Sequence, residues 1–203
     1  MDTLKYITKK YKLDLNVNKP PIHLFDVGRN DLAKLFAELG FASGAEIGVL
    51  FGRYSKILCE ANPKLKLYSI DPWLSYKEYF DLTPQKDFDL LYETTKQNLA
   101  TFNCKIIRKK SMDAVKDFPD NSLDFVYIDG NHEFASEAND IHEWSKKVRT
   151  GGIISGHDYI QYRKASVSHS YEVINAYTAA YVINPWFVIG RNVDTIRSWF
   201  FIK

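Results

Sequence analysis

The sequence predicts an α/β fold in which helices pack on both faces of a mostly parallel sheet. Three observations favour this fold. Short apolar runs alternate with helical patterns along most of the 203 residues, an order typical of parallel sheets. Most of these runs end in acidic or other polar residues, as strands do where ligands bind in open α/β sheets. The turn between the last two runs is too short for a parallel connection, so we expect an antiparallel hairpin there.

Apolar runs of strand length, bounded by turn residues, occur at seven places. We place five parallel strands and then the hairpin pair at residues 45–49, 65–70, 104–108, 123–128, 153–155, 185–189 and 197–202. Between the runs, apolar residues recur every three to four positions, which predicts helices. These helices cover about residues 30–39, 53–61, 85–102, 134–148 and 171–181, with a short one after Ser111. Asn30 is the predicted N-cap of the first helix.

Composition and charge narrow the function classes. Hydrophobic residues make up 45% of the chain and charged residues 26%, which is ordinary for a globular domain. A net charge of +2 is too small to indicate nucleic acid as a main partner. Cys59 and Cys104 are spaced neither as a metal knuckle nor as a redox pair, so we expect two thiols in a reducing, cytoplasmic compartment. We expect no signal peptide and no membrane span.

Glu46, Gly48 and Gly52 mark the turn between the first predicted strand and its helix. The turn is not the G-x-G-x-x-G fingerprint of dinucleotide-binding proteins, because Leu50 and Arg53 stand at two of the glycine positions. It is not a P-loop either, because no Gly-Lys-Ser/Thr follows. An acid at the strand end can accept hydrogen bonds from a cationic amino-acid moiety, and the glycines let the backbone approach it. An ordinary strand-to-helix turn is the alternative.

Asp71 ends the second strand about 20 residues after that turn, the usual place of an acid that binds ribose hydroxyls. Trp73 follows, where it could stack on a base or cover the pocket, and a long aromatic loop or broken helix continues to Phe80. After the third strand, Ser111 and Met112 lie at the same edge of the sheet, where Met112 could pack on adenine. A loop cap is the alternative for Asp71, and a core position is the alternative for Met112.

The strongest pattern joins the ends of the fourth and fifth strands. Asp129 and His132 follow one strand, and His157 and Asp158 follow the other. Because these strands should be neighbours, we expect the two aspartates side by side at the carboxyl edge. Paired carboxylates need a proton, a cation or a metal between them, and oxygen ligands suit Mg²⁺, Ca²⁺ or Mn²⁺. Either histidine could act as a general base near neutral pH, and a structural hydrogen bond is the alternative for each.

Four segments together resemble the class I S-adenosylmethionine-dependent methyltransferases, and most of all the group with macrocin-type O-methyltransferases and cephalosporin hydroxylase-like proteins. The segments read Ala-Glu-Ile-Gly-Val-Leu-Phe-Gly-Arg-Tyr-Ser, Tyr-Ser-Ile-Asp-Pro-Trp, Phe-Val-Tyr-Ile-Asp-Gly-Asn-His and Gly-Gly-Ile-Ile-Ser-Gly-His-Asp-Tyr. The resemblance runs from about Asn30 to the C-terminus. We therefore divide the chain into an N-terminal extension, residues 1–29, and a methyltransferase domain, residues 30–203.

That resemblance implies a Rossmann-like three-layer sandwich with a seven-stranded sheet in the order 3-2-1-4-5-7-6, in which strand 7 is antiparallel. It also implies S-adenosylmethionine as the cofactor, with Glu46 and Gly48 at its methionine part, Asp71 at its ribose, and Ser111 and Met112 by its adenine. The full set of predicted cofactor-binding residues is Glu46, Gly48, Gly52, Tyr54, Asp71, Trp73, Ser111, Met112 and Asp129.

The same resemblance implies a metal site. In similar metal-dependent O-methyltransferases, an Asp after strand 4 and an acidic pair after strand 5 hold Mg²⁺, and Asp129 and Asp158 match two of these ligands. Tyr159 stands where the third ligand is expected. Leu50 stands at the middle glycine of the family's glycine loop.

These features predict an O-methyltransferase that acts on a small-molecule or sugar hydroxyl, assisted by Mg²⁺ or another divalent cation. The predicted catalytic residues are Asp129, His132 and His157, and the predicted metal ligands are Asp129 and Asp158. Two alternatives stay open: a non-catalytic cofactor-binding or structural module, and a metal-dependent hydroxylase-like enzyme on the same fold. We expect no nucleic-acid or membrane partner, and the oligomeric state stays open, a homo-oligomer included.

Overall fold

Eight strands form one mixed sheet in the computed structural model, which describes residues 2–75, 84–161, 168–191 and 196–203. The strands are β1 (Ile22–Leu24), β2 (Ser43–Ile47), β3 (Lys66–Ile70), β4 (Cys104–Ile107), β5 (Leu123–Ile128), β6 (Val148–Tyr159), β7 (Trp186–Ile189) and β8 (Arg197–Ile202). The helices are α1 (Thr3–Lys10), α2 (Arg29–Glu38), α3 (Arg53–Ala61), α4 (Gln85–Leu99), α5 (Ser111–Ala114), α6 (Phe134–Lys147) and α7 (Ser170–Ala180), and a 3₁₀ turn (Val115–Asp117) continues α5.

The strands lie in the order β1-β7-β8-β6-β5-β2-β3-β4. Strand β8 is antiparallel to its neighbours β6 and β7, and the other described pairings are parallel. Without β1 this is the predicted order, so the Rossmann-like fold and its antiparallel C-terminal strand are confirmed. The predicted count of seven strands is wrong, because β1 pairs in parallel with β7 and places Ile22 opposite Phe187. Three residues carry too short a pattern to be recognised as a strand.

Helices cover both faces of the sheet because alternate residues of a strand point to opposite sides. In β5, Phe125 and Tyr127 join the core under α1, α2 and α3. Val126 and Ile128 join the core under α6 and α7 on the other face. The predicted three-layer sandwich is therefore confirmed.

The segment before α2 packs against this sheet. Ile7 of α1 is fully buried, and the hydroxyl of Thr3 donates a hydrogen bond to the carbonyl oxygen of Gly151 (2.5 Å). Ile22 and Leu24 of β1 are also buried. Residues before the predicted domain start thus contribute to the core, while the division at residue 29 stays a prediction.

Several element boundaries differ from the predicted ones, and two of the differences have a structural reason. The N-cap of α2 is Gly28, not Asn30, and its N–H donates to Asp31 Oδ2 (3.0 Å). Strand β6 is 12 residues long, because it pairs with β5 on one side and β8 on the other. Most of the predicted aromatic loop, residues 76–83, lies outside the described residues. Within the described part of the chain, the helices are too short or too polar to cross a bilayer.

Candidate active site at the carboxyl edge of the sheet

The loop after β2 approaches the end of β5 so closely that one position requires glycine. Gly48 has φ +84°, and a Cβ there would lie 2.0 Å from the carbonyl oxygen of Asp129. Gly52 has φ +72° and is the N-cap of α3. Between them, Leu50 also has a positive φ, +50°. The loop therefore keeps a glycine-like conformation at Leu50, at a cost of about 1–2 kcal/mol for a residue with a Cβ.

Asp71, just after β3, holds this loop in place. Its Oδ2 accepts hydrogen bonds from the backbone N–H groups of Val49 (2.9 Å) and Leu50 (3.1 Å), and its Oδ1 accepts one from Trp73 N–H (2.7 Å). Each carboxylate oxygen can accept more than one hydrogen bond. Asp71 is therefore a loop cap in this structure and retains acceptor capacity for the ribose hydroxyls that it is predicted to bind.

Trp73 is a second residue that holds this loop in place. Its side chain is fully buried, packs in a small apolar cluster with Val49 and Phe88, and donates its indole N–H to the carbonyl oxygen of Leu50 (2.9 Å). The prediction that Trp73 stacks on a base or covers the pocket is therefore wrong here: the indole N–H finds its acceptor in the loop, and the ring faces the core.

Glu46, in β2, is almost completely buried and accepts a hydrogen bond from the hydroxyl of Ser55. Ser55 in turn contacts Ser69 Oγ (2.6 Å). Burial raises the pKa of Glu46 well above its ordinary value, and Asp129 nearby raises it further, while the bond from Ser55 lowers it. Glu46 therefore holds its proton where an ordinary glutamate is ionised. The two serines were not predicted as part of the site.

Ser111 and Met112 form the opposite end of the edge, after β4. The hydroxyl of Ser111 donates to the buried carboxyl of Asp140 and accepts from the indole N–H of Trp144 (2.8 Å). Burial raises the pKa of Asp140 to about 6. Both partners of Ser111 lie on α6, so this helix fixes the position of the predicted adenine-side residues.

Asp129 and Asp158 lie beside the two histidines, as expected for neighbouring strands. Asp158 Oδ2 is 2.8 Å from His132 Nε2, and Asp158 Oδ1 is 2.9 Å from His157 Nδ1. Asp129 Oδ1 is 3.7 Å from each of these nitrogens. Asp158 adopts φ +56°, a left-handed conformation that is rare for residues other than glycine, asparagine and aspartate. This backbone turn accompanies a carboxylate held between both imidazoles.

The charges of this cluster stabilise one another. Burial alone would raise the pKa of Asp158, but hydrogen bonds from both imidazoles hold it well below its ordinary value. Burial alone would lower the pKa of His132, but the bond to Asp158 and the charges of Glu137 and Asp129 raise it to about 9. Burial raises the pKa of Asp129, with the histidines opposing this effect. At neutral pH His132 is therefore an imidazolium between carboxylates.

Two further residues, Ser170 and Glu137, lie at Nδ1 of His132, the ring nitrogen that does not face Asp158. The sequence analysis did not predict either residue. Ser170 Oγ, at the start of α7, lies 3.3 Å from His132 Nδ1 and donates to Glu137 Oε2 (2.6 Å). Glu137, on α6, is only 1% exposed, and burial raises its pKa to about 7. The signal that could have revealed it is an acid three residues before Asp140 on the helix face that also carries Ile141.

The donor set suits a divalent cation. Asp129, His132 and Asp158 each offer one ligand atom, and these atoms lie within 4.8 Å of one another. Tyr159, at the position of the expected third ligand, is instead buried, and its hydroxyl accepts from Asn175 Nδ2 (3.2 Å). Two carboxylates and one imidazole fit Mn²⁺ or another first-row metal better than Mg²⁺, which prefers oxygen ligands.

A cavity of about 1250 Å³ joins these groups at the carboxyl edge of the sheet. The predicted site residues that line it are Glu46, Gly48, Tyr54, Asp71, Ser111, Met112, Asp129, His132 and Asp158. Gly52, Trp73 and His157 are absent from this lining. Arg29, at the start of α2, lines the cavity and was not predicted.

Sequence comparisons relate this chain to known proteins. A family model described as a methyltransferase domain matches residues 45–159, more than half of the chain. An uncharacterized protein of Acanthamoeba polyphaga mimivirus is 31% identical over 123 residues, which are 58% of this chain and 52% of that protein. The match thus spans about half the length of this relative.

Solved structures share the fold at low sequence identity. An O-methyltransferase from Bacillus cereus, in complex with SAH, has 14% identity and a TM-score of 0.61, over 100% of this chain and 91% of that chain. The N-methyltransferase NodS from Bradyrhizobium japonicum has 14% identity and a TM-score of 0.56, over 86% and 94%. The solved structures show a shared fold, and the match to the family model shows that this chain belongs to the methyltransferase-domain family.

Proposed function

We propose that this chain transfers a methyl group from S-adenosylmethionine to a hydroxyl of a small molecule or sugar. One observation carries this proposal: the carboxylates and imidazole of Asp129, His132 and Asp158 face the same cavity as the glycine loop. An acceptor hydroxyl loses a proton when it is methylated, and this cluster contains the groups that can take up a proton and stabilise the resulting charge.

The residues around the loop fit the cofactor. Gly48 leaves the space that a side chain would fill beside Asp129, and Glu46, Asp71 and Ser111 follow one another along the edge from β2 to β4. We assign them to the methionine, ribose and adenine parts. When bound, the cofactor supplies an electrophilic methyl group on its sulfonium sulfur.

The chain's own contribution is positioning and proton uptake. His132 already holds a proton at neutral pH, so in that state it orients Asp158 and acts as a cation, not as a base. Asp129, whose pKa burial raises, is a stronger proton acceptor than an ordinary aspartate. His157 Nδ1 lies 3.7 Å from Asp129 and completes the group. We assign proton uptake to these residues as a unit.

A divalent cation is the second part of the proposal. Asp129 and Asp158 would hold it, with His132 as the third ligand instead of a residue at position 159. Such a cation would lower the pKa of an acceptor hydroxyl. His132 would then have to lose its proton before it could act as a ligand.

The test is formation of S-adenosylhomocysteine from S-adenosylmethionine with a panel of sugars, phenols and other hydroxyl compounds, and matched amines, with Mg²⁺, with Mn²⁺ and with EDTA. We expect turnover with at least one hydroxyl class and at least a tenfold loss in Asp129→Asn. Cofactor binding without turnover on any hydroxyl would favour the non-catalytic module. Tightly bound iron in the purified protein, with no methyl transfer, would favour the hydroxylase-like alternative.

A further inference from the structure

Arg29 reaches the cavity from outside the segment that matches the methyltransferase family model. It is the first residue of α2, and its side chain is 39% exposed. Its guanidinium lies 5.3 Å from the ring centroid of Tyr54, and the hydroxyl of Tyr54 donates to the carbonyl oxygen of Arg29 (2.8 Å). Both ends of Arg29 are therefore held by the same tyrosine, which keeps the charge at the cavity wall.

Arg29 also stands beside an acid. Its Nη1 lies 3.8 Å from Asp129 Oδ2, longer than a hydrogen bond. The pair therefore presents a cation and an anion side by side without closing on each other. An α-amino acid carries an ammonium and a carboxylate on one carbon, which is the complementary arrangement of charges.

Glu46 does not provide that complement alone. Its side chain is buried in β2 and accepts a hydrogen bond from Ser55, whereas the side chain of Asp129 is 24% exposed at the cavity. Asp129 is thus the better partner for a ligand ammonium, and the ligand carboxylate then needs a cation on the same side. Arg29 has the planar donor geometry that binds carboxylates in a bidentate manner.

We infer that Arg29 binds the carboxylate of the methionine moiety of S-adenosylmethionine while Asp129 receives its ammonium group. The inference rests on the proposed function and adds a specificity-determining residue to it. It means that recognition of the amino-acid end of the cofactor depends on a residue before the matched segment, residues 45–159.

Arg53 is the rival. Arg53 is the first residue of α3 and also lines the cavity. Its guanidinium lies 5.0 Å from the ring centroid of Phe51. Unlike Arg29, it forms no ion pair with an acid of the site among the described residues, so a matched variant of Arg53 separates the two.

The experiment compares the binding of S-adenosylmethionine and its decarboxylated analogue by isothermal titration calorimetry. Both ligands carry the sulfonium and the amine, and only the first has the carboxylate. Arg29→Gln should weaken S-adenosylmethionine binding roughly 10- to 100-fold and leave the analogue within about twofold. Lys34→Gln, an exposed change on the same helix, should alter neither. Arg29→Lys should lose less than Arg29→Gln, because it keeps the charge without the planar fork.

The outcomes distinguish a failure of the proposed function from a failure of the role assigned to Arg29. If the wild-type protein does not bind S-adenosylmethionine, the proposed function fails, and this inference fails with it. If the wild-type protein binds and Arg29→Gln weakens both ligands equally, Arg29 is only structural. If Arg53→Gln instead discriminates between the ligands, the carboxylate lies at α3. Should Arg29→Gln not fold, Arg29→Lys gives the same comparison.

Discussion

Substituting alanine at Gly48 should destabilise the fold more than the same substitution at Gly40. Both glycines have a positive φ, +84° and +72°, so each alanine incurs about 1–2 kcal/mol of left-handed backbone strain. A Cβ at Gly40 would meet no atom within 4 Å, whereas at Gly48 it would lie 2.0 Å from the carbonyl oxygen of Asp129. Backbone atoms must then shift, which typically adds about 1–3 kcal/mol. We expect a total near 1–2 kcal/mol at Gly40 and about 2–5 kcal/mol at Gly48.

Urea unfolding followed by circular dichroism measures the two losses of unfolding free energy. Isothermal titration with S-adenosylmethionine should in addition show weaker binding for Gly48→Ala, because the displaced backbone belongs to Asp129, and unchanged binding for Gly40→Ala. Equal destabilisation by the two alanines would refute the close approach between the β2 loop and the end of β5. Gly48→Ala with full stability and full affinity would refute it more strongly.

Three further predictions concern single residues of the edge. Asp71→Asn should lower the free energy of unfolding by about 1–3 kcal/mol and weaken S-adenosylmethionine binding; a loss of binding without a loss of stability would contradict the loop-cap role. Burial raises the pKa of Asp140 from 3.8 to about 6, so its stabilising contribution is lost as the pH rises through 6. Asparagine does not titrate, so the free energy of unfolding of Asp140→Asn, relative to that of the wild-type protein, should rise by up to about 3 kcal/mol between pH 4 and pH 8 in urea unfolding. Free energies of unfolding that change in parallel with pH would disprove the shift. Mn²⁺ should bind the wild-type protein in a calorimetric titration and not Asp158→Asn; equal binding would exclude Asp158 as a ligand.

The sheet could be predicted because its order follows from patterns that the sequence displays locally. Apolar runs and their polar ends identify strands such as β5, and the short link between β7 and β8 requires an antiparallel pair. β1 carries no such signal. Its three residues are a strand only because β7 lies beside them, and that contact is set by tertiary structure.

The aspartates at the carboxyl edge of the sheet were predictable for the same reason. Asp71 and Asp129 directly follow β3 and β5, Asp158 lies at the end of β6, and parallel strands bring these ends to one edge. Trp73 was misassigned because proximity in sequence to Asp71 does not say which way a side chain points. Its orientation is set by Leu50 and Phe88, which belong to other segments.

Glu137 and Asp140 show what kind of residue remained hidden and how it could be recognised. Both are buried acids on the inner face of α6, where burial raises the pKa of each and ionisation lowers stability. A helix chosen for stability alone would carry apolar residues there. Each acid instead accepts a hydrogen bond from a serine beside the site: Ser170, next to His132, and Ser111. An acid on the apolar face of a helix that follows a strand-end aspartate therefore indicates a nearby functional site. Because burying such an acid lowers stability, we infer that Glu137 and Asp140 serve to position Ser170 and Ser111.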